Sequence, residues 1–171
     1  MNSDDLFTRV RSTLLSGLAA RGVTCEVLRD YQTGTVGAPS GPAITMQHVG
    51  SRRYGHVQRK ELQPTEPGGD FTHVEMQWWL TTLQIGAINA GAFDNCQAAS
   101  DILQSDGGLA ALAVSGVRPL RITDVRTVQF VNERDQFETM PNFDVVLTYA
   151  KLIASTTPPA QRIEGAATHV N

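Results

Sequence analysis

Four histidines, two cysteines and a scatter of carboxylates are the residues of this 171-residue chain from which catalysis or metal binding would have to be built. Metal chelation by His48, His56, His73 and His169 requires spacings such as HExxH or HxH, which bring two imidazoles to one side of an element. None of the four has such a neighbour, and His73 shares strand parity with Glu75 and Gln77, the polar side. The spacing predicts no metal centre. Nucleophilic catalysis fares no better. There is no GxSxG, and neither Cys25 nor Cys96 has an adjacent basic group to lower its pKa. The two cysteines lie far apart without a CxxC and read as free core thiols of a reducing compartment. Glu133 and Asp135 flank Arg134 in NERDQFE, a polar turn in which the charges read as solvated.

Phosphate chemistry would need a glycine-rich loop that enters a helix. The loop at residues 34–41 is glycine-rich but has no GK[ST] ending. The segment GAINAGAFD, from Gly86 to Asp94, has the strand-turn-helix outline of a nucleotide site. It lacks the GxGxxG order and a following lysine, so it reads as a simple turn with Asp94 as helix cap. No cofactor is expected. One cluster is different in kind: Arg52, Arg53, Arg59 and Lys60 fall together between two strands. Such a cluster is ordinarily solvated charge, but a symmetric ring would repeat it in every subunit as a positive collar.

The net charge of −3 argues against general nucleic-acid binding, which needs an excess of Lys and Arg. No apolar run approaches the eighteen or so residues of a membrane helix, and MNSDDLF is acidic where a signal peptide is basic. The chain is expected to be made and kept in the cytosol.

The elements that would position these residues are organised around FTHVEMQWWLTTLQIGA, residues 71–87. Val74, Met76, Trp78 and Leu80 alternate with polar residues, which predicts a strand with one buried face. From Trp79 onward the apolar positions move to Trp79, Leu83 and Ile85, which predicts a bulge near Thr81 and Thr82. At roughly 3.3 Å per residue the strand is about 55 Å long and must overhang its domain, offering unpaired backbone groups to a partner. Trp78 and Trp79 point to opposite faces, so one is core and the other needs a helix or a partner over it.

Around that strand, Leu6, Val10, Leu14 and Leu18 recur every four residues, a helix opened by Ser3 and stopped by Gly22. Residues 23–28 and 43–49 read as strands, and residues 50–70 as a mobile loop or hairpin tip between two strands. Cys96, Ala99 and Leu103 mark one helix after residue 93. Leu109, Leu112 and Ala113 mark a second, which ends at Gly116; together they form a crossover on the sheet. Pro119 breaks the chain, and residues 121–131 and 143–153 are strands joined across a turn at 132–142. The sum is one α+β domain over residues 1–153: a single mostly antiparallel or mixed sheet, helices on one face and a long projecting β-hairpin or loop. Residues 154–171 read as a tail, flexible or docked on a partner.

Residues 118–152, RPLRITDVRTVQFVNERDQFETMPNFDVVLTYAKL, resemble the neck or tail terminators of long-tailed bacteriophages, as do the acidic-capped first helix and the Trp-bearing strand. Phe130, Phe137, Pro141, Phe143 and Tyr149 carry the likeness, as scaffold and not as an active site. The resemblance implies a non-enzymatic virion protein that forms a hexameric ring, caps the tail tube, stops its polymerisation and joins the tail to the head. Its partners would be further copies of itself, the tail tube protein, a neck connector or stopper and the sheath protein, with DNA only passing through the lumen and no membrane. The basic cluster Arg52, Arg53, Arg59 and Lys60 would face the tube or the lumen. Another tail or baseplate adaptor, or a small-ligand binder or enzyme using the Gly86 to Asp94 turn, are the alternatives.

Overall fold

The computed structural model describes residues 3–29, 39–62, 70–131 and 137–157. Helix α1 (Ser3–Ala20) leads into strands β1 (Glu26–Arg29), β2 (Ala43–Leu62) and β3 (Phe71–Ile88). Helices α2 (Ala92–Gln104) and α3 (Asp106–Val114) follow, then β4 (Val117–Ile122), β5 (Arg126–Val131) and β6 (Phe137–Thr157). The sheet runs β1-β2-β3-β6-β4, with β5 pairing the start of β6. Only β1 and β2 pair in parallel; the other pairings are antiparallel. The expected α+β class is the observed one.

All three helices cover one face. Leu6, Val10, Leu14 and Leu18 are buried by α1 against Ile44, Met46, Leu83, Ile85, Phe143, Val145 and Leu147 of the sheet, and Cys96, Ala99 and Leu103 of α2 join them. Each large aliphatic or aromatic side chain withdrawn from water here contributes about 1.5–3 kcal/mol. The first helix is fastened to β1 by Arg29, which pairs with Asp4 and lies over the Phe7 ring at 4.3 Å. Ser105 ends α2 and starts α3, its Oγ accepting from the Gly108 N–H at 3.1 Å. A side chain at Gly108 would strike the Ile102 carbonyl, so only glycine permits so sharp a turn between the helices.

Several elements differ from the sequence-based expectation. Of the loop and hairpin readings of residues 50–70, the structure favours the hairpin as far as residue 62: β2 continues antiparallel along β3 to the Leu62/Thr72 pair, and residues 63–69 lie outside the described part. The bulge expected in β3 sits on its neighbour, where Val49 is the extra residue of β2 opposite Leu83 and Thr82. The turn expected at residues 132–142 is shorter, because β6 already begins at Phe137; residues 132–136 lie outside the described part. Pro119 stays inside β4, tolerable because β4 is an edge strand and a proline there can spare its missing N–H. Asp94 is in the first turn of α2, whose cap is Gly91 without a side-chain bond. Leu109 is 38% exposed while Leu112 is fully buried, so α3 turns a narrower face inward than its three apolar residues suggested. At the other end, β6 runs to Thr157, four residues past the expected strand end at residue 153 and into the segment read as a tail.

Candidate functional site

The three longest strands, β2, β3 and β6, leave the helix-covered body together. Opposite-pair register sets the faces: Trp79 is level with Arg53 and Tyr149, and Trp78 with Tyr54 and Ala150. The Trp79 face is the one that lower down carries Thr81, Leu83 and Ile85 into the core. Beyond Trp79 no described helix follows, and the strands project for roughly 25 Å as a three-stranded ribbon at the usual rise per residue.

The register explains the shift of parity along β3 without any irregularity in β3 itself. Its pairing with β6 is unbroken from Phe71 to Gly86. In the body the apolar residues of β3 face the helices. In the ribbon, Val74, Met76, Trp78 and Leu80 face the opposite, open side. Expected to be one buried face, this stripe is covered by no described helix: Leu80 is buried, and Val74, Met76 and Trp78 are only half-buried. Tyr54 and Leu152, level with Trp78 and Met76, are 55% and 61% exposed. Lower on the same face polar side chains gather, where Gln84 reaches Asp144 and Arg126 bonds both Asn142 at 3.0 Å and Asp144 at 2.9 Å. Val146, level with Thr82, is an apolar member of that lower part, so the continuous apolar stripe belongs to the ribbon while the rest of the face is mixed. Of the tryptophan pair, Trp79 packs against the core and Trp78 faces outward.

Two irregularities shape β2 on the ribbon. Beyond Val49, His48 Nε2 and Ser51 Oγ share a hydrogen bond of 2.8 Å, and Ser51 and Thr81 hydroxyls one of 2.7 Å. Further out, Gly55, His56 and Val57 face the single residue Gln77, and Gly55 takes φ +69°, a conformation that favours glycine. Gln77 is buried and spans this bulge, donating to the Tyr54 and Trp78 carbonyls.

The basic cluster is divided by the pleat. Arg52 and Lys60 share the open face with Leu80 and Val74, while Arg53 and Arg59 share the other face with Trp79 and Glu75. Arg53 lies over the Trp79 ring at 5.9 Å, and Arg59 Nε bonds Glu75 Oε1 at 2.9 Å. Trp79 Nε1 is buried with no hydrogen-bond partner among the described residues. Of the five scaffold positions, Pro141, Phe143 and Tyr149 are buried on β6; the side chains of Phe130 and Phe137 lie outside the described part.

The segment from Gly86 to Asp94 lines a cleft of 400 Å³ with Asn89, Gly91, Ala92, Phe93, Asp94, Thr127 and Pro141. Asp94 is its one charged group. Gly86 itself lies under the Met140 methyl, which leaves no room for a phosphate against its backbone on that side. Among the described residues no three His, Cys, Asp or Glu gather as a metal site. Burial pushes the Cys96 thiol up to about 12, and burial foremost also raises Cys25, helped by the Glu26 charge and opposed by a backbone hydrogen bond from Ile44. Both are free thiols, Cys96 in the core and Cys25 at its margin. No described helix is long and apolar enough to cross a membrane.

Sequence reasoning left the ribbon's second strand open between hairpin and loop, and missed the division of the basic cluster and Gln77. Fold and ribbon together define the class: an α+β protein with a projecting three-stranded blade. The chain belongs to the family of the E217 gateway protein gp29, which matches residues 5–159. No curated protein matches it.

Proposed function

We propose that this chain is a structural protein of a bacteriophage virion that joins head to tail, acting as a ring, hexameric by the terminator resemblance, on the end of the tail tube. Membership in a gateway-protein family supports the coarser part, a non-enzymatic virion component at the head–tail junction. The finer part, a ring that stops tube growth and hands the tail to a neck connector or stopper, rests on the terminator resemblance and on the ribbon.

The single observation that carries the reading is the apolar stripe Val74, Met76 and Trp78 with Tyr54 and Leu152, set on a face that no described element of the chain covers. Half-buried aromatic and aliphatic side chains on a projecting blade are what a protein partner would bury. Arg52 and Lys60 share that face with the stripe, so the surface offered is apolar with cationic members, suited to an apolar partner surface with acidic residues nearby. On this reading the open face meets the tube protein. DNA passes through the ring, and a sheath protein contacts its outside.

Tube growth in the presence of the purified protein tests the proposal. Tubes that stop lengthening at sub-stoichiometric amounts relative to tube subunits support it. Tubes that grow unchanged with the protein in excess contradict it. A second reading, a ligand-binding role for the 400 Å³ cleft beside Asn89 and Asp94, is checked by a thermal-shift screen with nucleotides, since a tight ligand must raise Tm by mass action.

A further inference from the structure

The ribbon has two free edges, and they are at the same level. On one side β1 covers β2 only at Ala43–Met46, so among the described residues the outer edge of β2 is unpaired from Gln47 to Leu62. On the other side β4 covers β6 only as far as Tyr149, so among the described residues the outer edge of β6 is unpaired from Ala150 to Thr157. The pairs Trp78 with Tyr54 and Ala150, and Thr72 with Leu62 and Thr156, show that both edges span the same stretch of β3. Because each is antiparallel to β3, the two edges run in the same direction.

We infer that these edges are the two halves of one contact: the β6 edge of one copy adds as a parallel strand to the β2 edge of the next. This rests on the ring reading above and names the surfaces that close the ring. Unpaired N–H and C=O groups on an extended edge are a template for another strand. Charge decides which strand. Two β2 edges brought together would set Arg52, Arg53, Arg59 and Lys60 of one copy against the same four of the other, and like charges across a ladder destabilise it. The β6 edge, AKLIASTT, has Lys151 as its only charge and no proline, the two devices that keep edges from pairing. It is the edge that a cationic β2 can accept.

The geometry of such a contact is heterologous, one patch meeting a different patch, and rotation about an axis along the ribbon repeats it until it closes. Each copy then contributes three strands to a continuous wall. Six copies give about eighteen strands, the size at which a barrel leaves a water-filled channel rather than a packed interior.

The experiment is disulfide trapping between two differently marked copies, in a Cys25→Ser background that leaves the buried Cys96 in place. One variant carries Gln58→Cys on β2. The other carries Ala150→Cys, Leu152→Cys or Ala154→Cys in turn on β6, positions that share the open face and sample the register two residues at a time. A cross-linked dimer that forms on mixing in at least one combination, at several times the yield of any variant oxidised alone, is the expected result. Self-cross-linking of Gln58→Cys or of a β6 variant as the main product would overturn it in favour of two-fold pairing. Rings that persist by native mass spectrometry without any β2–β6 cross-link overturn the edge assignment while leaving the ring intact. A wild-type chain that stays monomeric alone and at tube ends overturns the ring reading and the edge assignment together.

Discussion

Gln77 donates through Nε2 to the Tyr54 carbonyl at 3.0 Å, across the point where three residues of β2 face a single residue of β3. The same amide nitrogen reaches the Trp78 carbonyl at 3.0 Å. A side chain thereby satisfies backbone that an irregular ladder would leave short of donors, and it does so near the root of the ribbon, next to the two tryptophans that divide helix face from open face. Replacing Gln77 with Leu removes both bonds, each worth about 1 kcal/mol net. Because the ribbon lies beyond the helix-packed core, the loss is local. Amide exchange around Tyr54 and Gln58 should accelerate by roughly tenfold while global Tm shifts little, a pattern that exchange mass spectrometry resolves.

The pleat separates two charge reversals that the sequence alone lumps together. Arg52→Glu alters the open face beside Leu80, while Arg53→Glu removes a cation from the Trp79 ring on the other side. If the open face meets the tube, Arg52→Glu should lower tail joining by tenfold or more and Arg53→Glu by much less. Trp78→Asp should reduce joining at least as far as Arg52→Glu while leaving the core untouched. Infectivity or in vitro joining assays read all three, and intact joining by both Arg52→Glu and Trp78→Asp removes the open face from the account. By contrast Arg59→Ala, which breaks an exposed pair with Glu75, should cost under about 1 kcal/mol of stability.

At the crossing of α1 and α2, a methyl added at Gly17 would stand 2.5 Å from Ile102 Cγ2. Gly17→Ala is therefore expected to destabilise by about 1–3 kcal/mol through overpacking, despite alanine's better helix propensity. Combined with Ile102→Ala, which alone opens a cavity, the cost should fall short of the sum of the single changes by about 0.5–3 kcal/mol. Denaturant titration of the four proteins measures this.

Cys96 gives a pH dependence of defined sign. Its folded pKa is raised from 9.0 to about 12 by burial. Below pH 9 the thiol is neutral in both states and costs nothing. Between pH 9 and 12 the unfolded chain loses the proton and the folded chain keeps it, so stability drops as pH rises, by about 1.4 kcal/mol per pH unit. Cys96→Ala should show a correspondingly shallower loss between pH 9 and 10.5 than the parent. In the folded protein Cys96 should also resist alkylation far longer than Cys25.

How much of this was legible in the sequence follows from what each segment buries. The stripe of Leu6, Val10, Leu14 and Leu18 and the alternation of Phe143, Val145, Leu147 and Tyr149 announce themselves because one side of each element faces one continuous core. Residues 51–62 of β2 are all exposed, so no side of that strand was under pressure to be apolar and no period of two was written into it. The parity change in β3 was visible but ambiguous: a bulge and a change of covered face leave the same trace along one strand. Only the register with β6 separates them. The division of Arg52 and Lys60 from Arg53 and Arg59 depends on the strand that the sequence concealed. The absence of metal-ligand spacing was readable directly; Gln77 left no signal, since a buried glutamine on an exposed ribbon has no sequence pattern.

Negative-stain imaging of tail tubes mixed with the purified protein tests the central claim most directly. The expected result is a ring seated on one end of most tubes, with tubes shorter than in the protein's absence, and bare ends when Trp78→Asp replaces the wild type. Bare ends with the wild-type protein in excess, together with a monomer in solution, would contradict it.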